Sequence, residues 1–229
     1  MPMRINDKSL AAQVYEIIHQ QIANGELKPG ERISEGNYTR ELSISRTPVR
    51  EALLKLEMDG LVVCNSRRSY TVRRLTVQDV KGVYETLGIL EGASAALAVP
   101  QINAEDIRLL KEINHAMEAP AQSGNFEAFG SLNHKFHDVF IGKLDNPILC
   151  KVCDSVRALL NVFPPARTNS TVDFLTKSVA EHREIIRITE AGDSAAMASY
   201  SRDVHWSFDR NLLYIQDELG QDGDAVPPI

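Results

Sequence analysis

The stretch "SISRTPVREALLKLEMDGLV", residues 43–62, sets a proline inside an otherwise helical run and frames it with Arg46 and Arg50. With Ser45 as N-cap, Arg46, Thr47 and Pro48 are the first three helical residues. A proline costs little there, because the first N–H groups of a helix have no intrahelical partner. Val49, Ala52, Leu53 and Leu56 then make one apolar stripe. Gly60 stops the helix after about Asp59. Arg46, Thr47 and Arg50 fall off the stripe, clustered in the first turn and a half. In a helix-turn-helix this is the end that meets base edges and phosphates.

The flanking sequence supplies the rest of such a module. Ser9–Asn24 carries Leu10, Val14, Ile17, Ile18 and Ile22 at amphipathic-helix spacing. Gly25 and Pro29-Gly30 interrupt it, and Ser34 caps a short helix through about Leu42. After Gly60, "LVVC" and "YTVRR" read as two strands of a hairpin around "NSRRS". Three helices followed by a β-ribbon outline a winged helix-turn-helix over residues 1–76. Arginine grips guanine O6 and N7 with two hydrogen bonds, and threonine serves a phosphate or a thymine methyl. Arg67 and Arg68 at the wing tip are placed to reach a flanking groove or backbone.

The overall charge of −6 taken alone argues against DNA, but its distribution does not. Residues 1–76 hold 12 basic and 9 acidic side chains, and the excess acid lies entirely beyond them. The three cysteines, Cys64, Cys150 and Cys153, are too few and odd in number for a disulfide framework. No apolar run approaches the roughly 20 residues that cross a bilayer. A polar N-terminus and a reduced thiol inventory point to the cytoplasm and to no membrane partner.

Beyond Leu75 the sequence has helical periodicity and no convincing strand. Helices are predicted near 77–98, 104–122, 125–144, 146–162, 171–191 and 194–217, joined by short connections as in an antiparallel bundle. Residues 218–229 lack apolar periodicity and read as a disordered tail. The fold class is mainly α, a winged helix-turn-helix followed by an all-helical domain over residues 77–217.

The segments "IANGELKPGERISE" and "SRTPVREALLKLEMDGLV", with the hairpin after them, resemble the DNA-binding domain of GntR-type bacterial regulators. That resemblance implies double-stranded DNA as partner, with Ser45, Arg46, Thr47 and Arg50 at the contact and Arg67 and Arg68 joining from the wing. Ser43 and Ser69 stand where such domains usually have glycine.

Six histidines are present: His19, His115, His134, His137, His182 and His205. Asn133 and His137 are four residues apart on one face of a predicted helix. With His182 and His205 they bring three imidazoles and an amide oxygen from three helices, a set suited to a divalent metal such as zinc or nickel. His134 is a possible substitute ligand. An enzyme reading also exists, a helical metallohydrolase with Glu181 as base. "CKVC" at 150–153 has no second pair to complete a zinc site and reads as small packing residues.

"NHKFH", the "NP" after it, "EHREII" and the later "GD" and His205 are similar to the FCD ligand-binding domain of the FadR branch, in its six-helix, VanR-like form. The resemblance implies a metal held by Asn133, His137, His182 and His205, a small organic-acid effector, and a homodimer reading a pseudo-palindromic operator as a repressor. A metal-free pocket, with the histidines as donors to an acid, is the alternative. Leu87 stands where an arginine is usual near the pocket; Arg157 or Arg167 would compensate. The His182–His205 interval is one residue longer than the pattern, which the turn at Gly192-Asp193 is expected to absorb, since one residue turns a helix by about 100°.

Overall fold

A computed structural model describes residues 9–65, 69–160 and 169–212. The chain divides into two compact units, with the boundary after Leu75.

The first unit holds α1 (Leu10–Ala23), β1 (Arg32–Ile33), α2 (Glu35–Glu41), α3 (Arg46–Met58), β2 (Val62–Cys64) and β3 (Tyr70–Val72). Ser9 caps α1, its side chain accepting from Ala12 N, and Ser34 caps α2 by accepting from Asn37 N. Val14, Ile18 and Ile22 of α1 are buried, as are Val49, Ala52, Leu53 and Leu56 of α3, and the two helices pack together. Leu10 and Ile17, read as part of the same stripe, are exposed instead. The apolar face of α1 is only as wide as its contact with α3. Tyr15 Oη donates to Asp59 Oδ2 at 2.8 Å, and Lys55 Nζ lies 4.1 Å from the Tyr15 ring centre, so the end of α3 is also tied to α1.

The predicted hairpin is two strands of a three-stranded antiparallel sheet ordered β1-β3-β2. Ile33 pairs with Tyr70, and Val62 with Val72. A two-residue β1 is too short to show periodicity in sequence; it is held by its neighbour, not by propensity.

Ser43, in the turn between α2 and α3, has φ +54°, and Gly60, which follows the C-cap of α3, has φ +74°. A side chain in this left-handed region costs about 1–2 kcal/mol, which Gly60 avoids and Ser43 does not.

The second unit opens on α4 (Val77–Ala98), whose start is fixed by a reciprocal cap between Thr76 and Asp79. After a short 3₁₀ turn (Val99–Gln101) come α5 (Ala104–Ala116), α6 (Glu118–Ser123), α7 (Phe126–Ile141), α8 (Pro147–Leu160), α9 (Asn169–Glu190) and α10 (Ser194–Tyr200). The single helix predicted over 104–122 is two, since Pro120 has no N–H to continue the α5 ladder. The last predicted helix, 194–217, also divides: α10 widens into a π-turn over Ser201–His205, and helix resumes at 208. The tail at 218–229 lies outside the described residues. Ala95, Leu110, Met117, Phe129, Phe136, Leu175, Val179 and Met197 are among the core residues. No strand occurs beyond Val72 among the described residues.

Replacing Ser43 by glycine should stabilise the first unit by about 0.5–1 kcal/mol, the strain relieved less glycine's extra unfolded-state entropy. The denaturant midpoint of that unit's transition measures it; an unchanged or lower midpoint would mean the turn carries no strain.

Candidate DNA-facing helix and metal centre

Ser45 is the N-cap residue of α3, yet its side chain makes no capping bond. The reason lies three residues on. Pro48 occupies the third helical position and has no N–H for the hydroxyl to accept. The Ser45, Arg46, Thr47 and Arg50 side chains all face solvent at the start of α3. Arg50 Nε donates to Glu35 Oε2 at 3.1 Å and Oε1 at 3.2 Å, which anchors the guanidinium to α2 by that one nitrogen. Such an exposed pair contributes little to stability; its effect is to hold the arginine's direction. Arg67, Arg68 and Arg167 lie outside the described residues.

In the second unit, His137 of α7, His182 of α9 and His205 of the π-turn are buried together, with nitrogens within 4.8 Å of one another. His205 Nδ1 meets Glu181 Oε2 at 3.0 Å, and His137 Nδ1 lies 3.0 Å from Glu91 Oε2 of α4. The second contact is an ion-pair distance without an aligned hydrogen bond. Each carboxylate favours the Nδ1–H tautomer of its histidine. The two Nε2 atoms then present lone pairs to one another across 3.2 Å. Two lone pairs at that separation repel unless a cation lies between them. The spacing also matches the ~3.3 Å nitrogen–nitrogen edge of a tetrahedral site with ~2.0 Å bonds.

His182 carries the argument further. It is 0% exposed, stacked on Phe136 with ring centres 4.1 Å apart, and neither ring nitrogen has a hydrogen-bond partner. A buried imidazole left with two unsatisfied nitrogens is costly. Asn133 Oδ1, one turn before His137 on α7, is likewise buried without a partner. Three imidazoles, with two carboxylates behind them, are grouped closely enough to hold a divalent metal ion.

The carboxylates are themselves held. Arg157 of α8 is 6% exposed; its Nε donates to Glu91 Oε1 and its Nη1 to Asp138 Oδ1 at 2.7 Å. Burial acts to raise the Glu91 carboxyl, but the facing His137 and Arg157 outweigh it and hold it at about 2. Burial also pushes His137 down toward its neutral form, so the guanidinium is the lasting counter-charge. Removing one member of such a buried pair costs about 3–5 kcal/mol.

Several expectations change here. The helix carrying His205 widens in the π-turn, where Trp206 N donates to Ser201 O at 2.9 Å, and not at Gly192-Asp193. Gly192-Asp193 is a tight turn: Gly192 has φ +68° and the Asp193 side chain caps α10. A π-turn takes one residue more per turn than an α-helix, and so re-aims His205. His134 sits apart from the three, half-exposed, 3.4 Å from Asp154. Leu87 is fully buried but does not line the cavity beside His137. Cys153 is buried and free, its thiol pushed up to about 11 by burial.

Two family profiles match: "Bacterial regulatory proteins, gntR family" over residues 10–72 and "FCD domain" over 82–204. The chain belongs to the GntR family, with an FCD domain. It is 28% identical over 198 residues to the "Uncharacterized HTH-type transcriptional regulator YdhC" of Bacillus subtilis, covering 83% of this chain and 88% of that one. It is also 28% identical over 193 residues to a probable D-xylose utilization operon transcriptional repressor of Paenarthrobacter nicotinovorans, 83% of each. Among solved structures, E. coli McbR/YncC superposes with TM-score 0.73 at 21% identity, over 91% of this chain and 98% of that one. A Rhodococcus GntR regulator gives 0.72 at 21%, over 88% and 98%. These superpositions establish the fold. This GntR-family chain is thus a DNA-binding transcriptional regulator.

Sequence reasoning missed Glu91, Trp206 and the partners of Arg157. Nothing in their spacing marks them, because they are assembled from α4, α8 and the end of α10. Glu181 was visible only as a neighbour of His182; the structure turns it onto His205.

Burial pushes His182 well below its ordinary 6.5, and His137 down as well. The folded metal-free unit therefore binds fewer protons than the unfolded chain. That stability is present above about pH 6.5 and lost as the pH falls below it. In chelator, the denaturant midpoint of the second unit should be lower at pH 5.5 than at pH 7.5; equal midpoints would contradict the buried neutral histidines.

Proposed function

We propose that this regulator is a homodimeric repressor, controlled by a small organic-acid-like effector at a zinc- or nickel-containing pocket in its FCD domain. The observation that carries the reading is the pair of unpartnered His182 nitrogens inside the three-histidine cluster, in a chain that begins with a DNA-binding module. Asn133, His137, His182 and His205 would hold the metal, which supplies an open position for an oxygen of the effector. His137 backs onto Glu91 of α4, the helix that follows the wing in the chain. A change at the pocket thereby reaches the helix joined to the DNA-binding head.

Dimerisation is supported by apolar side chains left facing solvent on two helices that pack together: Ile89 and Leu97 on α4, Ile148 and Val152 on α8. Ile148, 75% exposed, and Val152 lie one turn apart and form a ready hydrophobic stripe. Two heads are required because one module discriminates sites poorly, whereas half-sites a helical turn apart multiply specificity. Arg46, Thr47 and Arg50, with Ser45, would meet the operator. The Ser45 hydroxyl, which Pro48 leaves without a capping partner, suits a phosphate. No described helix is long and apolar enough to cross a membrane; a cytoplasmic location accords with a DNA target.

Hydrolysis is the poorer reading. The base that reading names, Glu181, is committed to His205 Nδ1 and orients that ligand.

Selection from a randomised duplex pool should recover an inverted repeat, and Arg50→Ala should weaken binding of that duplex at least tenfold at fixed salt. His182→Ala should leave DNA binding in place while removing Ni²⁺ quenching of Trp206 fluorescence, the chain's single tryptophan. Unchanged duplex affinity in Arg50→Ala, or undiminished quenching in His182→Ala, would overturn the respective half of the reading.

A further inference from the structure

The seam where α5 packs on α9 is built from two matched stripes. Lys111, Asn114 and His115 of α5 lead to Glu118 at the start of α6, and Arg183, Ile186, Arg187 and Glu190 run along α9. Each set has the i, i+3, i+4, i+7 spacing of one helical face. Two ion pairs cross the seam, Lys111 Nζ to Glu190 Oε1 at 2.6 Å and Arg183 Nη2 to Glu118 Oε1 at 2.7 Å. Two helical turns, about 10 Å, separate them. Between them lies a groove of about 300 Å³, the lower end of the range for small-molecule sites.

The floor of the groove is not packed like an ordinary seam. The centre of a helix–helix contact is usually apolar; Ile186 obeys this and Asn114 does not. Asn114 is 4% exposed, and its Nδ2 donates to Val179 O at 3.3 Å, which fixes the direction of the amide. Its Oδ1 is then left buried with no hydrogen-bond partner. Tying α5 to α9 uses one end of the amide. The other end is an acceptor that a bound O–H or N–H would satisfy.

The charges say which donor suits. Lys111 and Arg183 are matched by Glu190 and Glu118. Arg187 is matched by Glu184, to which its Nε and Nη2 donate at 2.9 and 2.6 Å. A ligand of either net charge would meet its own sign in one of these pairs. A neutral polyol does not, because each hydroxyl both donates and accepts. Its O–H groups can donate to Asn114 Oδ1 and the glutamates and accept from the arginine and lysine N–H groups. Its carbon face can rest on Ile186 and the methylene stems of Lys111 and Arg187.

We propose that this groove is a second small-molecule site of the regulator, taking a neutral sugar of monosaccharide size. It shares no residue with the three-histidine cluster and does not depend on a metal.

Saturation-transfer NMR of the full chain with D-glucose, D-xylose and D-ribose tests it. At least one sugar should bind, equally with and without chelator, and inorganic phosphate should not displace it. Arg187 is 67% exposed, so Arg187→Ala leaves the fold intact; it should weaken that sugar three- to tenfold, the effect of one or two hydrogen bonds. Asn114→Leu, which fills the floor and removes the acceptor, should abolish the signal, and Arg187→Ala decides the matter should that variant fail to fold. No signal from any of the three sugars would overturn the proposal and assign Asn114 Oδ1 to a water. Undiminished binding in either folded variant would overturn it by placing the sugar elsewhere. Loss of the signal in chelator would move the sugar to the histidine cluster, and displacement by phosphate would make the groove an anion site; each contradicts the proposal.

Discussion

Two imidazole nitrogens facing each other across 3.2 Å are the constraint around which the second unit is arranged. They are brought there by α7 and the π-turn, and their tautomers are set by Glu91 and Glu181. Glu91 in turn is tolerated in the interior because Arg157 pairs with it. An ionised carboxylate in an apolar core costs several kcal/mol unless matched, so α4, α7 and α8 are locked in register by one ionic chain. A protein selected for stability alone would fill this space with leucine. The polar cluster makes sense as a binding centre whose stability cost is recovered when a cation arrives.

The same economy explains the two odd features of the first unit. Pro48 fixes the start of α3 but deprives Ser45 of its capping partner, and Ser43 accepts a left-handed backbone where glycine would be easier. Both sit at the end of the helix that faces solvent with arginines. Local rules fail there together, as expected at a working surface. Glu35 restrains Arg50 through a single nitrogen, so a direction is imposed without using the donors that grip a base.

Much of the fold was legible from caps and periodicity. Ser34 and Ser45 announce helices because a serine before an apolar rhythm has few other uses. The His137, His182 and His205 cluster was legible only through resemblance, since intervals of 45 and 23 residues carry no geometry of their own. What stayed hidden depends on tertiary placement. β1 is two residues long; Arg157 meets Glu91 across 66 positions; and the π-turn arises where α10 is pressed against Gly88 and Gly92 of α4. The sequence pointed to the glycine turn at 192 as the place where the phase of His205 is set, because turns are where insertions usually go. The phase is instead set inside the helix, by the one widened turn at Ser201–His205.

The central claim, that the three histidines share one metal ion, is tested most directly by X-ray absorption of the full chain loaded with one equivalent of Zn²⁺ or Ni²⁺. The account predicts a first shell of nitrogen and oxygen near 2.0–2.1 Å with outer-shell scattering from three imidazole rings. A shell with one imidazole or none, or one containing sulfur from Cys153, would contradict it.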